Sequence, residues 1–397
     1  MRACYAFSGD PITNGHIDII KRSLEVFNHV TVAIGSNPNK RYLFSLNERT
    51  NMTKETLKGF GDKITVKAFN GLLVDFLREN CITHIIRGIR STSDLEYEKE
   101  LASINQTQDI GIDTWFLTSN KKLDVVSSSA SKEIVKYIGK SDQYVPVYIK
   151  NKLEQKLLGV KLIGITGEIG AGKSYVSKVI ETNYKAHYYN IVNIDIDTIG
   201  KKILTEYCEP IYREMRRKIM NWFTSVTKYE DSIVLDCEFD NLFLDPQKIS
   251  NLIFKNKDRL DEYNNLTRDV IIFKIKSEIR RIIQNNKLPN DHRYLIIFVN
   301  SALLIEADLM SMVNNNIIFV NANEDVRIER LKNRGYTHEE RLNRINSQLD
   351  IENKINKYDT RVDLDKYGNK LVIQNNEQNG SANNEIIKKF DAFLKTI

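Results

Sequence analysis

Short runs rich in β-branched and other apolar residues recur along the chain, and each is followed by a longer stretch in which apolar residues return every three to four positions. In the first part the short runs are Arg2–Phe7, His29–Ile34, Ile64–Ala68, Thr83–Ile86 and Asp113–Leu117, and they predict strands. After the first of them, Ile17, Ile20, Leu24 and Phe27 fall on one face of a predicted helix, and Val147, Ile149, Leu153 and Leu157 mark another over Val145–Leu158. The run VKLIGITG that follows is too rich in β-branched residues to extend that helix, so it opens a second series with a strand over Leu162–Thr166. The boundary falls near residue 159, giving domains 1–158 and 159–397 with no Gly/Ser-rich or Pro-rich linker between them. Strand and helix alternating in this way predict an α/β fold of two domains, each with a parallel sheet flanked by helices. No internal repeat is present, and the Asn-rich patches VNNNII (313–318) and IQNNEQNGSANNE (373–385) read as surface loops.

A length of 397 residues also exceeds a usual single core, which agrees with two domains. The net charge of +6 is spread along the chain and suits small anionic substrates at least as well as nucleic acid. Basic tracts and aromatic platforms of the kind a nucleic-acid motor needs are missing, so no nucleic-acid partner is expected. The start MRACYAF has no long apolar run, and nowhere do 18 uncharged apolar residues follow one another, so a cytoplasmic protein with no membrane partner is expected. Cys4, Cys81, Cys208 and Cys237 are far apart, which argues against zinc and disulfides and for free thiols.

In the second half, Gly167-Glu-Ile-Gly170-Ala171-Gly172-Lys173-Ser174 matches the phosphate-binding loop G-x-x-x-x-G-K-[ST], fed by a strand and continued by the helical YVSKVIETN, which begins at Tyr175. Glycines let backbone N–H groups turn toward phosphates, Lys173 reaches the β and γ phosphates, and the Ser174 hydroxyl is placed for Mg²⁺. Asp195 and Asp197 end the next strand, where a carboxylate can orient an acceptor hydroxyl, accept its proton or help hold the metal. Capping of the following helix is the other reading for either of them. The stretches GITGEIGAGKS, NIDIDTIGKKIL, NSALLIEADL and FVNANEDVRIERLKNRGYTHEERLNRINSQ together resemble dephospho-coenzyme A kinases over roughly residues 160 to 380. That resemblance implies a P-loop kinase domain in which Asp197 is the base or orienter of the ribose hydroxyl and Asp195 stands beside it at the substrate. It also implies that Arg334 and Arg344 belong to the lid and nucleotide clamp, although both also suit the exposed face of a charged helix. Where the family usually shows His-Pro at the start of a helix, this sequence has Thr267-Arg268.

In the first half, FSGDPITNGH (7–16) leads into an amphipathic helix, so His16 arrives near a helix N-terminus, where an anion is welcome. Thr13-Asn14-Gly15-His16 fits the (H/T)-x-G-H pattern of nucleotidyltransferases, whose histidine can donate to an α-phosphate. With NPNKRYLFSLNER, FNGLLVDF, HIIRGIRSTSDLEYEKELA and VVSSSASKEI, residues 1 to 158 resemble bacterial phosphopantetheine adenylyltransferases and imply a Rossmann-like nucleotidyltransferase domain. The resemblance assigns ATP to Ser8, Gly9, His16, Gly88, Ile89, Arg90, Glu98 and Ser127-Ser128-Ser129. It assigns the acceptor to Ser8, Lys40, Leu73 and Arg87, with Lys40 and Arg90 also stabilising transition-state charge. Lys40 also reads as a solvated loop lysine, and the serines as a helix cap. The family order Gly-Thr/Ser-Phe before Asp-Pro is here Phe7-Ser8-Gly9, with the hydroxyl kept and the small and aromatic residues exchanged.

The two resemblances are consecutive reactions: ATP and 4′-phosphopantetheine give dephospho-CoA and diphosphate, and ATP with Mg²⁺ then phosphorylates the ribose 3′ hydroxyl. The alternative is one active half beside a nucleotide-binding regulatory or scaffolding half. The adenylyltransferase family implies a homo-oligomer.

Overall fold

The computed structural model describes the chain except residues 110, 185–188, 228–232, 239–240 and 287–293 and the side chains of Tyr189, Asp236, Cys237, Glu238 and Asn241. The Cys237 thiol therefore lies outside the described residues, whereas Cys4, Cys81 and Cys208 are free thiols. Contacts divide the chain into two compact units, Met1–Leu158 and Gly159–Ile397.

The first unit alternates β1 (Arg2–Phe7), α1 (Asn14–Ser23), β2 (His29–Gly35), α2 (Leu46–Leu57), β3 (Ile64–Phe69), α3 (Leu73–Glu79), β4 (His84–Ile89), α4 (Thr92–Gln108), β5 (Asp113–Thr118), α5 (Ser128–Lys136) and α6 (Val147–Leu158). The last helix starts two residues later than expected, directly after Pro146, whose ring favours a helix start over a helix interior. The sheet is parallel throughout, in the order β3-β2-β1-β4-β5. Residues of β1 alternate between two cores, as a period of two requires. Ala3 and Tyr5 face Ile12, Ile19 and Ile20 from the α1 side, whereas Cys4 and Ala6 face Val74 and Leu77 of α3. The chain winds outward from β1 to β3 and returns to lay β4 on the other side of β1. This reversal opens a crevice at the carboxyl ends of β1 and β4.

The second unit runs β6 (Val160–Gly167), α7 (Lys173–Tyr184), β7 (Tyr189–Asp195), α8 (Ile196–Thr205), α9 (Pro210–Thr227), β8 (Val234–Glu238), β9 (Asn241–Leu244), α10 (Pro246–Ile253) and α11 (Lys257–Asn285). It continues with β10 (Tyr294–Asn300), β11 (Asn316–Asn321), α12 (Glu324–Asn333), α13 (His338–Asn346), α14 (Ile351–Asp365), β12 (Asn369–Gln374) and α15 (Gly380–Leu394). Five parallel strands order as β12-β11-β6-β10-β7, and β8 and β9 form a separate antiparallel pair. Ile163, Ile165, Phe298, Ile318, Val176, Ile180 and Phe390 share one core, so α7 and α15 are packed on the face that β6 and β10 present.

The first Asn-rich patch differs from expectation, and the second does so in part, since residues 377–379 form an exposed loop. Asn314, Asn315 and Asn316 are buried, the first two with φ of 58° and 54° in the turn that enters β11. Asparagine tolerates that left-handed backbone, and the buried Asn315 amide donates to Asp365 Oδ2 and the Tyr367 carbonyl, each at 2.9 Å. Asn375 is buried as well, and Gly380 onward is helix. Thr267-Arg268 lies inside the 29-residue α11 rather than at a helix start, because without a proline nothing interrupts the helix there. Thr267 Oγ1 donates to the Tyr263 carbonyl at 2.8 Å, and Arg268 pairs with Asp308 at 3.0 Å. Among the described residues no helix is long and apolar enough to cross a membrane.

Candidate active sites

In the first unit β1 delivers Phe7-Ser8-Gly9 to the crevice. Gly9 has a φ of +64°, which glycine adopts at no steric cost, and a Cβ there would lie 3.2 Å from Ile34 Cδ1 and 3.4 Å from the Phe7 ring. Phe7 and position 9 therefore share one space, and the exchanged pair is physically coupled. The Phe7 ring stacks on His16 with centroids 4.4 Å apart and planes 11° from parallel.

His16 is buried in the first turn of α1, in a capping box with Thr13. Its Nδ1 accepts the Thr13 backbone N–H at 3.0 Å, which leaves the ring proton on Nε2. Burial, and secondarily the Arg90 charge, push the imidazole down to about 3, so the ring is neutral at physiological pH and Nε2–H is a donor. The sequence suggested the donor role, and the structure adds the tautomer.

Two staples that the sequence did not reveal hold this loop. Buried Arg49 donates to the Ser8 carbonyl, to the Gly35 carbonyl at 2.7 Å and to Ser36 Oγ at 2.7 Å, with its guanidinium 4.0 Å from the Tyr42 ring centre. The Asp10 carboxylate accepts the backbone N–H groups of Leu43 and Phe44, both at 3.0 Å, and pairs with Lys132 at 2.9 Å.

Across the crevice, β4 carries Arg87, Gly88 and Ile89, and Arg90 follows directly after it. Arg87 and Glu98, expected to serve separate ligands, form a bidentate pair at 2.5 Å, and Arg87 also donates to the Ala6 carbonyl at 2.8 Å. A Cβ on Gly88 would lie 3.1 Å from Ile19, so this glycine lets α1 pack on β4. Ile89 is buried, while Arg90 and Lys40 are exposed cations. Ser127 caps α5 by accepting the Ala130 N–H at 3.0 Å, as the capping alternative required, Ser128 donates to the Pro11 carbonyl at 2.8 Å, and Ser129 is exposed. Leu73 opens α3, half-buried.

In the second unit the loop between β6 and α7 has the close backbone packing its glycines imply. Gly167, Gly170 and Gly172 have φ of 152°, 80° and 90°, and a Cβ on Gly172 would lie 2.2 Å from Asn375 Nδ2. Asn375 Nδ2 donates to the Ala171 carbonyl at 2.8 Å. Arg330 donates to the carbonyls of Gly170, Ala171 and Asn375 at 3.3, 3.2 and 2.9 Å. Glu168 pairs with buried Arg327 at 2.7 Å. Lys173 Nζ lies over the Gly167 and Glu168 carbonyls at 3.3 and 3.4 Å. Ser174 is exposed, and the Tyr175 hydroxyl donates to Asn383 Oδ1 at 2.8 Å.

Asp195 Oδ1 accepts the Thr198 N–H at 2.9 Å as the cap of α8, so the capping alternative describes that residue. Asp197 opens from the first turn of α8, where Ser301 Oγ donates to it at 3.5 Å. Solvent reaches Asp197, yet protein surrounds it on most sides, so desolvation raises its carboxyl pKa while Lys173 opposes the shift. Desolvation brings Lys173 down to about 8; Asp197 opposes this, and the charges of Lys354 and Arg334 add to it. Lys354 is fully buried, donating to the Ala302 carbonyl at 2.7 Å and to Glu306. Arg334 is exposed at the end of α12. Arg344 is buried between the rings of Phe254 and Tyr336, 4.8 and 4.6 Å from their centres, rather than on an exposed helix face.

A dephospho-CoA kinase family model matches residues 161–370, and a cytidylyltransferase-like model matches residues 8–134. A phosphopantetheine adenylyltransferase from Petrotoga mobilis is 43% identical over 156 residues, 39% of this chain and 96% of that protein. One from Thermobifida fusca is 46% identical over 149 residues, 38% of this chain and 90% of that protein.

Proposed function

The chain belongs to the dephospho-CoA kinase family and, through its first unit, to the phosphopantetheine adenylyltransferases, and we infer that it catalyses two consecutive steps of coenzyme A biosynthesis. The first joins ATP to 4′-phosphopantetheine with release of diphosphate. The second transfers the γ-phosphoryl group of another ATP to the ribose 3′ hydroxyl of the dephospho-CoA so formed. The observation that carries this reading is the presence in one chain of two separately folded sites whose families make and consume the same molecule.

In the first site the acceptor phosphate attacks the α-phosphate in line. No covalent enzyme intermediate is needed, so the residues hold and neutralise. His16 suits the α-phosphate because its donor proton is fixed on Nε2 and its neutrality does not depend on physiological pH. Lys40 and Arg90 are exposed cations able to meet charge that grows as diphosphate leaves. Arg87, anchored to Glu98 and the Ala6 carbonyl, presents a fixed guanidinium toward phosphopantetheine.

In the second site the backbone N–H groups of Gly167–Ser174 hold the phosphates, and Lys173 meets the transferring group. Asp197 accepts or orients the 3′ hydroxyl, which its raised pKa favours. Asp195 positions α8 beneath it. Mg²⁺ fits here, because the exposed Ser174 hydroxyl and two nearby carboxylates are the sparse oxygen set that this ion takes alongside substrate phosphates. When bound it supplies charge neutralisation of the phosphates.

Half-reaction assays test the assignment. Diphosphate release should require ATP and 4′-phosphopantetheine together, and ADP release should require dephospho-CoA. ADP release with 4′-phosphopantetheine as the acceptor in a His16→Ala protein would contradict it.

A further inference from the structure

Strand β10 ends between the strand that delivers the P-loop and the strand that delivers Asp195. Its last residue, Asn300, is in register with Ile165 of β6 and with Asp195 of β7. Phe298 and Ile296, two and four positions earlier, share a core with Ile165, Ala171 and Val176. Alternation along the strand therefore turns Asn300 to the face on which the P-loop and α7 sit. It is 3% exposed, and its Nδ2 is buried without a hydrogen-bond partner. Its neighbour Ser301 donates through Oγ to Asp197 Oδ1 at 3.5 Å, so the next residue along this strand end already touches the site's carboxylate.

An unpaired buried amide destabilises a fold, and a leucine of similar shape would not carry that penalty. Its placement at the carboxyl edge of the sheet, where such folds bind ligands, accounts for the cost by function. P-loop enzymes commonly complete their Mg²⁺ site with an aspartate in addition to the loop Ser or Thr. Here the strand beside the P-loop strand ends in an amide, which offers a donor and no charge.

We propose that Asn300 is a ligand-facing residue of the kinase site, its NH₂ donating to an oxygen of the hydrated metal–triphosphate, either a phosphate oxygen or a metal-bound water. The proposal rests on the kinase reading of this unit. It makes the metal dependent on Ser174, nearby carboxylates and the nucleotide itself, with no carboxylate at the end of β10.

The test is calorimetric binding of β,γ-methylene-ATP to the full chain, with and without Mg²⁺, and binding to a Lys173→Ala chain is subtracted to remove the first unit's contribution. Asn300→Leu should weaken binding about tenfold or more, the usual effect of losing a hydrogen bond to a charged group. It should also raise the melting temperature, a combination that a purely structural role does not give. A loss in both conditions identifies a phosphate oxygen as the partner, and a loss only with Mg²⁺ identifies a metal-bound water. Asn300→Asp should lower the Mg²⁺ concentration needed for half-maximal binding severalfold and weaken metal-free binding. Wild-type affinity in Asn300→Leu under both conditions, or an unchanged Mg²⁺ requirement in Asn300→Asp, overturns the proposal. Failure of the wild-type chain to show any Lys173-dependent binding would instead count against the kinase reading itself.

Discussion

Replacing His16 by alanine should separate two roles of one ring. The Nε2–H donor goes, and one donor aimed at developing phosphate charge is worth on the order of 10²–10³ in rate. The Nδ1 acceptor goes too, leaving the Thr13 backbone N–H without its partner at 3.0 Å, which costs about 1–3 kcal/mol of stability at neutral pH. The pH dependence distinguishes the variant further. In the folded protein His16 takes up a proton only near pH 3, against an ordinary value of 6.5, so between these values the unfolded chain binds the extra proton. Wild-type stability is therefore unaffected by His16 above 6.5 and falls as the pH drops below it, by about 1.4 kcal/mol per unit. Between pH 6.5 and about pH 5 that amounts to roughly 2 kcal/mol, absent from the alanine variant. Urea unfolding followed by Trp115 fluorescence in a Trp222→Phe background reads the first unit. Equal acid sensitivity of the two proteins would refute the buried neutral imidazole, as would an inflection near 6.5 in the adenylyl-transfer rate that vanishes with His16. A rate within a few-fold of wild type would refute the donor.

Because Lys173 loses its proton near pH 8, nucleotide affinity at the second site should fall about tenfold per pH unit above that value, with proton uptake on binding. Calorimetry at about pH 9 in buffers of different ionisation enthalpy measures this, and zero proton uptake would show that Lys173 is not the phosphate contact. Gly9→Phe should impair adenylyl transfer, because its side chain would enter the Phe7 ring from a backbone of φ +64°, and adding Phe7→Gly should recover part of the loss. Strictly additive effects in the two-residue cycle would show the positions to be independent. Asn375→Leu removes the donor to the Ala171 carbonyl, so the kinase KM for ATP should rise while diphosphate release in the first reaction is unchanged. An unchanged KM would remove Asn375 from the loop's support.

The central parallel strands were legible because residues buried on both faces leave continuous apolar runs, and the P-loop because close backbone packing admits so few side chains. The supports of each loop were not legible. Arg49 reaches Ser8 over 41 residues, and Asn375 reaches Ala171 over 204, so no local periodicity marks either contact. The Arg87–Glu98 pair was hidden for a different reason, since both residues were recognised but each was expected to face a ligand. VNNNII was misread because asparagine signals a turn by its tolerance of left-handed backbone, and that turn proved to be buried at the mouth of β11. Of the two aspartates after the P-loop, only the hydrogen bond to Thr198 shows which one caps the helix.

The central claim, two successive reactions by one chain, is tested most directly by mass spectrometry of the products formed from 4′-phosphopantetheine, ATP and Mg²⁺ by the purified wild type and its Lys173→Ala variant. The wild type should yield coenzyme A with two ATP consumed per molecule, one to diphosphate and one to ADP. The variant should release diphosphate at close to the wild-type rate and accumulate dephospho-CoA. Undiminished coenzyme A from the variant would contradict the account by showing that the P-loop is not the phosphoryl-transfer site, and absence of dephospho-CoA from the wild type and the variant alike would show that the first unit is not an adenylyltransferase.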